Sequence, residues 1–308
     1  MEYTIFGKKP SLCKRMENCI VRFMRGAKFF NQFLRRKCVT LPFVFISCLL
    51  LSVSCGGGRE VKKSPEGQKK IISILNQGKK YSIEGNLSKA LTYYKNAITL
   101  SYSIDYQEGV IEGLNNIGII KYINGDFEAA MDDFQTALQI SESINNRRLI
   151  AVSLGNIGEV LSSKGDLERA LEYQQGALLF DQEVGNIYGR AIRLNNIGMI
   201  YKKQGRLDEA IALFNDSLKI NESIKNKEEI AINLSNIGGV YEEKGDLHKA
   251  LDYYKRALEI DKILEYRMGI AIDLSNIASV YKAMGEVDKA TDYQQRAEKI
   301  YKILAEMR

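Results

Sequence analysis

No tryptophan occurs in this chain of 308 residues, a single histidine stands at position 248, and the last of only three prolines is Pro65. The five cysteines are Cys13, Cys19, Cys38, Cys48 and Cys55, so everything after Cys55 is cysteine-free. That body can hold no disulfide, no CxxC metal site and no thiol nucleophile. His248, alone in GDLHKA, has no partner for a zinc site or a catalytic pair and reads as a solvated helix residue. The lack of proline after Pro65 permits helix nearly throughout.

A basic excess is missing too, although the net charge of +6 suggests one. Residues 1–55 contain ten Lys/Arg and two Glu; removing those from the totals of 44 and 38 leaves 34 basic and 36 acidic residues. A surface that neutralises phosphates needs the opposite balance, so a nucleic-acid partner is not expected. GGGREVKKS and NQGKKYS both fail the spacing of a phosphate-binding loop. Carboxylates are plentiful, but on helix faces they read as solvated charge. The chain is therefore expected to be no enzyme, with no cofactor, no metal and no small-molecule substrate.

Arg35-Arg36-Lys37 precede CVTLPFVFISCLLLSVSC, an uncharged run from Cys38 to Cys55. A basic segment, an apolar run and small residues at its end describe a secretory signal. The ending resembles the lipobox of bacterial lipoproteins, with Val53 and Ser54 before Cys55, although Leu51 lies one place further out than the usual pattern and Ser52 takes its position. The resemblance implies lipidation at Cys55 and a protein held in the cell envelope as a membrane-anchored lipoprotein. Cleavage before Cys48 would leave LLLSVS exposed, and Met24 offers an alternative start. The competing reading is one uncleaved N-terminal membrane anchor with the rest outside the cytoplasm, since the run approaches the ~20 residues a bilayer needs. Residues 56–70, opening with three glycines, read as a flexible tether.

From Ile71 the sequence repeats every forty residues. Gly78, Gly118, Gly158, Gly198, Gly238 and Ala278 share one register. Gly85 to Gly285 share a second and Ala90 to Ala290 a third. Six copies result: 71–110, 111–150, 151–190, 191–230, 231–270 and 271–308. In the fourth, Leu194, Ile197, Gly198 and Tyr201 form one stripe of a first helix, and Ala210, Phe214, Ser217 and Ile220 one stripe of a second. Gly205 suits the left-handed residue that ends the first helix. Asn86, Asp126, Asp166 and Asp246 suit caps for the second, whereas Arg206 and Glu286 do not.

Gly238, Tyr241, Ala250 and Ala257 sit where the tetratricopeptide repeat places its small residue, its tyrosine and its two alanines. Residues 71–308 resemble that family, and the forty-residue period resembles its longer-helix subclass, found in Pins/LGN-type and kinesin-light-chain scaffolds. The resemblance implies an all-α fold, an α-solenoid of six helix-turn-helix repeats forming a right-handed superhelix with first helices lining a concave groove.

Counting the fourth copy from Ala191, position 6 is asparagine in every copy: Asn76, Asn116, Asn156, Asn196, Asn236 and Asn276. It lies ~200° from the core residue at position 4, on the opposite face with positions 2, 9 and 13. Three readings are open: inheritance without use, bridging between neighbouring first helices, and a ladder of amides holding the main chain of an extended peptide. The resemblance implies the third. Position 9 runs Lys79, Ile119, Glu159, Met199, Gly239, Ser279 and position 13 runs Ile83, Ile123, Ser163, Lys203, Glu243, Ala283, so the groove is more apolar in the first two copies. Lys202-Lys203 and Glu242-Glu243 read as ion pairs between adjacent repeats.

The expected function is a non-enzymatic protein–protein scaffold, lipid-tethered to the bacterial envelope, with a protein or peptide ligand in its groove. The alternatives are a structural subunit of an envelope assembly using the convex face or the terminal helix, and a regulatory partner of a separately encoded signalling enzyme. Gln294, where other copies place Tyr94, Phe134, Phe214 or Tyr254, suits the terminal helix to an end cap.

Overall fold

The computed structural model describes residues 64–306; the segment expected to be a signal, with Cys55, and the first part of the expected tether lie outside them. Twelve helices follow one another: α1 (Pro65–Ile83), α2 (Leu87–Ser103), α3 (Gln107–Ile123), α4 (Phe127–Ser143), α5 (Arg147–Ser163), α6 (Leu167–Glu183), α7 (Ile187–Lys203), α8 (Leu207–Ser223), α9 (Lys227–Glu243), α10 (Leu247–Ile263), α11 (Arg267–Ala283) and α12 (Val287–Glu306). Among the described residues no helix is long and apolar enough to cross a membrane. Odd-numbered helices are the first and even-numbered the second of each pair.

Helix α1 starts at Pro65, not at Ile71, so residues 65–70, expected to be tether, are helical. Pro65 occupies the first turn, where its missing N–H costs nothing, and Ser64 Oγ accepts from Gly67 N at 3.2 Å. Within each pair the turn is built on glycine: Gly85, Gly125, Gly165, Gly205, Gly245 and Gly285 all have φ between +74° and +83°. The N–H of the next residue reaches back to the helix, as in Asn86 N to Tyr81 O at 2.8 Å, closing the carbonyls that the helix end leaves open. Asn86, Asp126, Asp166 and Asp246 each accept from the N–H three residues on. Arg206 makes no such cap; its guanidinium pairs with Glu209 and lies 3.7 Å from the centre of the Tyr201 ring.

The turns between pairs follow a different rule. Asp105, Asn145, Lys225 and Glu265 take φ of +51° to +57°, and only Gly185 among the five has no Cβ to strain. Asn146, Asn186 and Asn226 then cap the following first helices.

Each first helix packs on its own second helix where a glycine faces a ring. A Cβ on Gly78, Gly118, Gly198 or Gly238 would come within 2.5–2.9 Å of Tyr94, Phe134, Phe214 or Tyr254. Those four rings are buried, as are the alanines at Ala90, Ala130, Ala170, Ala210 and Ala250. Gln294 of α12 is exposed. First helices of successive pairs touch one another, and every second helix touches the first helix that follows it. Among the described residues no second helix comes into close backbone contact with another. The α-solenoid is therefore tighter along its first helices, which form the concave side.

Candidate interaction groove

The six asparagines of position 6 all stand on first helices, in one row along the concave side. Their bonding differs from copy to copy, and the residue before them in the preceding copy decides it. Asn156 Nδ2 donates to Asn115 Oδ1 at 3.0 Å, Asn236 Nδ2 to Asn195 Oδ1 at 2.8 Å, and Asn276 Nδ2 to Ser235 Oγ at 3.4 Å. For Asn116 the corresponding neighbour is Leu75, which accepts nothing, and its Nδ2 turns to Glu112 O at 2.7 Å. For Asn196 it is Gly155, and among the described residues the Asn196 side chain makes no hydrogen bond. Asn76 of α1, with no copy before it, is exposed and also unbonded. Bridging between first helices is thus real in three copies, so folding does use part of a row that its position on the far side of the helix had set apart from the core. Among the described residues the carbonyl ends of Asn156, Asn236 and Asn276 take no bond.

Behind this row lies a second polar layer that periodicity did not mark, because its residues differ at each of the last three junctions. Position 3 of a first helix meets position 31 at the end of the second helix before it. Arg193 Nε lies 3.3 Å from Asp181 Oδ2, both side chains buried. Asn233 Oδ1 accepts from Asn221 Nδ2 at 2.9 Å and from Ser217 Oγ at 3.2 Å, while its Nδ2 donates to Asn195 at 3.1 Å. At the last junction Asp273 stands near Asp261, and Ser235 Oγ donates to Asp273 Oδ1 at 2.7 Å. Burial pushes Asp261 up to about 6; burial, reinforced by the Asp261 charge, pushes Asp273 up to about 7. Over the last three junctions columns 3 and 31 change together, and that joint change was the available signal.

Position 2 of the same face carries Ile72, Val152, Ile192, Ile232 and Ile272, interrupted by Glu112. Ile72, Ile232 and Ile272 are 43–45% exposed, an aliphatic row flanking the amides. A recess of about 420 Å³ lies over the second and third copies, lined among others by Lys79, Glu112, Asn116, Ile119, Val152 and Asn156. The ion pairs expected between Lys202-Lys203 and Glu242-Glu243 do not form. Lys203 Nζ reaches back to Ser162 O and Oγ at 3.0 Å, and Glu242 accepts from Tyr254 Oη at 2.8 Å and Ser279 Oγ at 2.6 Å. The nearer hydroxyls and carbonyl claim those charges first.

Among the described residues no group of three or more His, Cys, Asp or Glu could hold a metal ion. The groove is built to present amides and aliphatic surface.

No curated protein matches the sequence. Solved structures do. BtubC (BKLC) from P. vanneervenii aligns with a TM-score of 0.57 at 20% identity, over 79% of this chain and 93% of that one. A Rap protein complexed with competence and sporulation factor aligns with a TM-score of 0.61 at 18% identity, over 81% and 79%. The Rap conjugation gene regulator of the plasmid pLS20, in complex with the Phr* peptide, gives 0.60 at 16% identity, over 82% and 81%. At these identities the likeness is one of fold. The tetratricopeptide repeat model matches residues 109–183, 149–223, 189–263 and 229–303, and with the forty-residue helix pairs this places the chain in the tetratricopeptide repeat family.

Proposed function

We propose that this protein is a non-enzymatic interaction scaffold that holds an extended peptide segment along its first helices and is tethered to the bacterial envelope by a lipid on Cys55. The observation that carries the groove reading is the amide row with open carbonyl ends, flanked by exposed isoleucines, on the concave side. First helices ~8–10 Å apart present one amide per roughly three residues of extended chain. The open carbonyl ends suit main-chain N–H groups, while the isoleucines suit apolar side chains on one side of the strand. That a similar fold is seen with the Phr* peptide supports a peptide as ligand.

Asn76 and Asn196 give the clean test, because neither is bonded within the array. Replacing both by alanine is expected to leave helicity and melting unchanged and to weaken partner capture from an envelope extract by about 1–3 kcal/mol, roughly 5- to 150-fold. Undiminished capture by that variant and by Ile232→Asp would place the docking surface on the second helices or α12. For the tether, radiolabelled fatty acid is expected in the wild-type chain and not in Cys55→Ser; equal incorporation would rule out that residue.

A further inference from the structure

The third copy breaks the ring pattern. Where Tyr94, Phe134, Phe214 and Tyr254 fill the space beside the first-helix glycine, it has Gln174, 1% exposed. Gln174 Nε2 donates to Gly155 O at 2.8 Å, which fixes the amide, and its Oε1 has no partner. An orphaned buried amide oxygen opposes folding, and a phenylalanine there would not incur that cost. The shorter side chain leaves a recess of about 150 Å³ between the third and fourth copies, lined by Gln174, Glu159, Asn196, Met199, Ile200 and Lys203 among others.

Its polar groups are unevenly occupied. Lys203 is bonded to Ser162, and Tyr122 Oη and Ser163 Oγ share a hydrogen bond of 2.8 Å. Glu159 is exposed at the mouth of the recess and, among the described residues, makes no hydrogen bond or ion pair. Gln174 Oε1 and Glu159 are therefore acceptors without donors, and Asn196 adds a free amide. Met199 and Ile200 provide an apolar wall. We propose that this recess is a specificity pocket that receives a basic side chain, arginine or lysine, from the bound segment. The alkyl stem lies along Met199 and Ile200, and the N–H donors at its tip reach Gln174 Oε1 and Glu159, which supplies the charge. The proposal rests on the groove reading, whose ligand it makes more specific.

The test uses the full-length protein and a positional-scanning set of acetylated, amidated nonapeptides built on alternating Val and Thr, each position replaced in turn by Arg, Lys, norleucine or Glu. Fluorescence anisotropy is expected to show one register where Arg or Lys binds about tenfold tighter than norleucine. Gln174→Phe, which restores the ring of the neighbouring copies, is expected to melt higher yet lose that preference. Glu159→Gln is expected to lose most of it, and norleucine peptides are expected to bind both variants as before. Equal binding of Arg and norleucine peptides, or a preference that survives Gln174→Phe, overturns the pocket while leaving the groove intact. If no peptide binds the wild type better than it binds the Asn76→Ala/Asn196→Ala variant, the groove reading itself fails, and the pocket with it.

Discussion

A methyl group added at Gly198 would meet a ring carbon of Phe214 at 2.7 Å, and neither helix can withdraw without losing its other contacts. Gly198→Leu is expected to cost about 1–3 kcal/mol or more, read as a lower thermal midpoint by circular dichroism. At Gly158 a methyl group would meet Gln174 Nε2 at 2.9 Å, an amide held to Gly155 O, so Gly158→Ala is also expected to destabilise the array. These glycines were legible as a column, since one small residue at a fixed register admits little besides close packing. The asparagine column was legible as geometry but not as bonding. Its hydrogen bonds depend on a second residue, 41 places earlier, which is Asn115 for Asn156 and Gly155 for Asn196. Two columns must be compared before the free amides can be told from the bridged ones.

At the scale of elements, the turns within pairs carry glycine at every left-handed residue, whereas the turns between pairs mostly do not. Lys225 and Glu265 hold φ of +57° and +54° against the preference of any residue with a Cβ. Gly185 shows that the same turn accepts glycine. Lys225→Gly is therefore expected to stabilise the protein by about 0.5–1 kcal/mol, after the glycine's greater freedom in the unfolded chain is set against the relief of strain. A higher urea midpoint with an unchanged slope would show it. Helix limits inside the array followed from glycines and capping residues. The first helix did not, because Ser64-Pro65 lies before the repeat register and carries no repeat signal. The polar layer between elements also stayed hidden: Arg193, Asn233 and Asp273 look unrelated until set beside Asp181, Asn221 and Asp261.

For the whole molecule, stability is a chain of nearest-neighbour junctions, and the last of them contains the Asp261–Asp273 pair. Both carboxyls sit above their ordinary value of 3.8, so the folded state prefers them protonated. Their contribution is complete below pH about 4 and is lost as pH rises through about 6 and 7. Amide exchange in α11 and α12 is therefore expected to be faster at pH 8 than at pH 5 after correction for intrinsic rates. Asp273→Asn should flatten that difference, and an unaltered profile in this variant would disprove the assignment. The contact between first helices, with none between second helices, also has a mechanical meaning. The molecule behaves as a leaf spring stitched along its inner edge by short side-chain bonds and unlaced along its outer edge. Tension between its ends is expected to open the outer edge first and to leave the spacing of the asparagine row nearly constant.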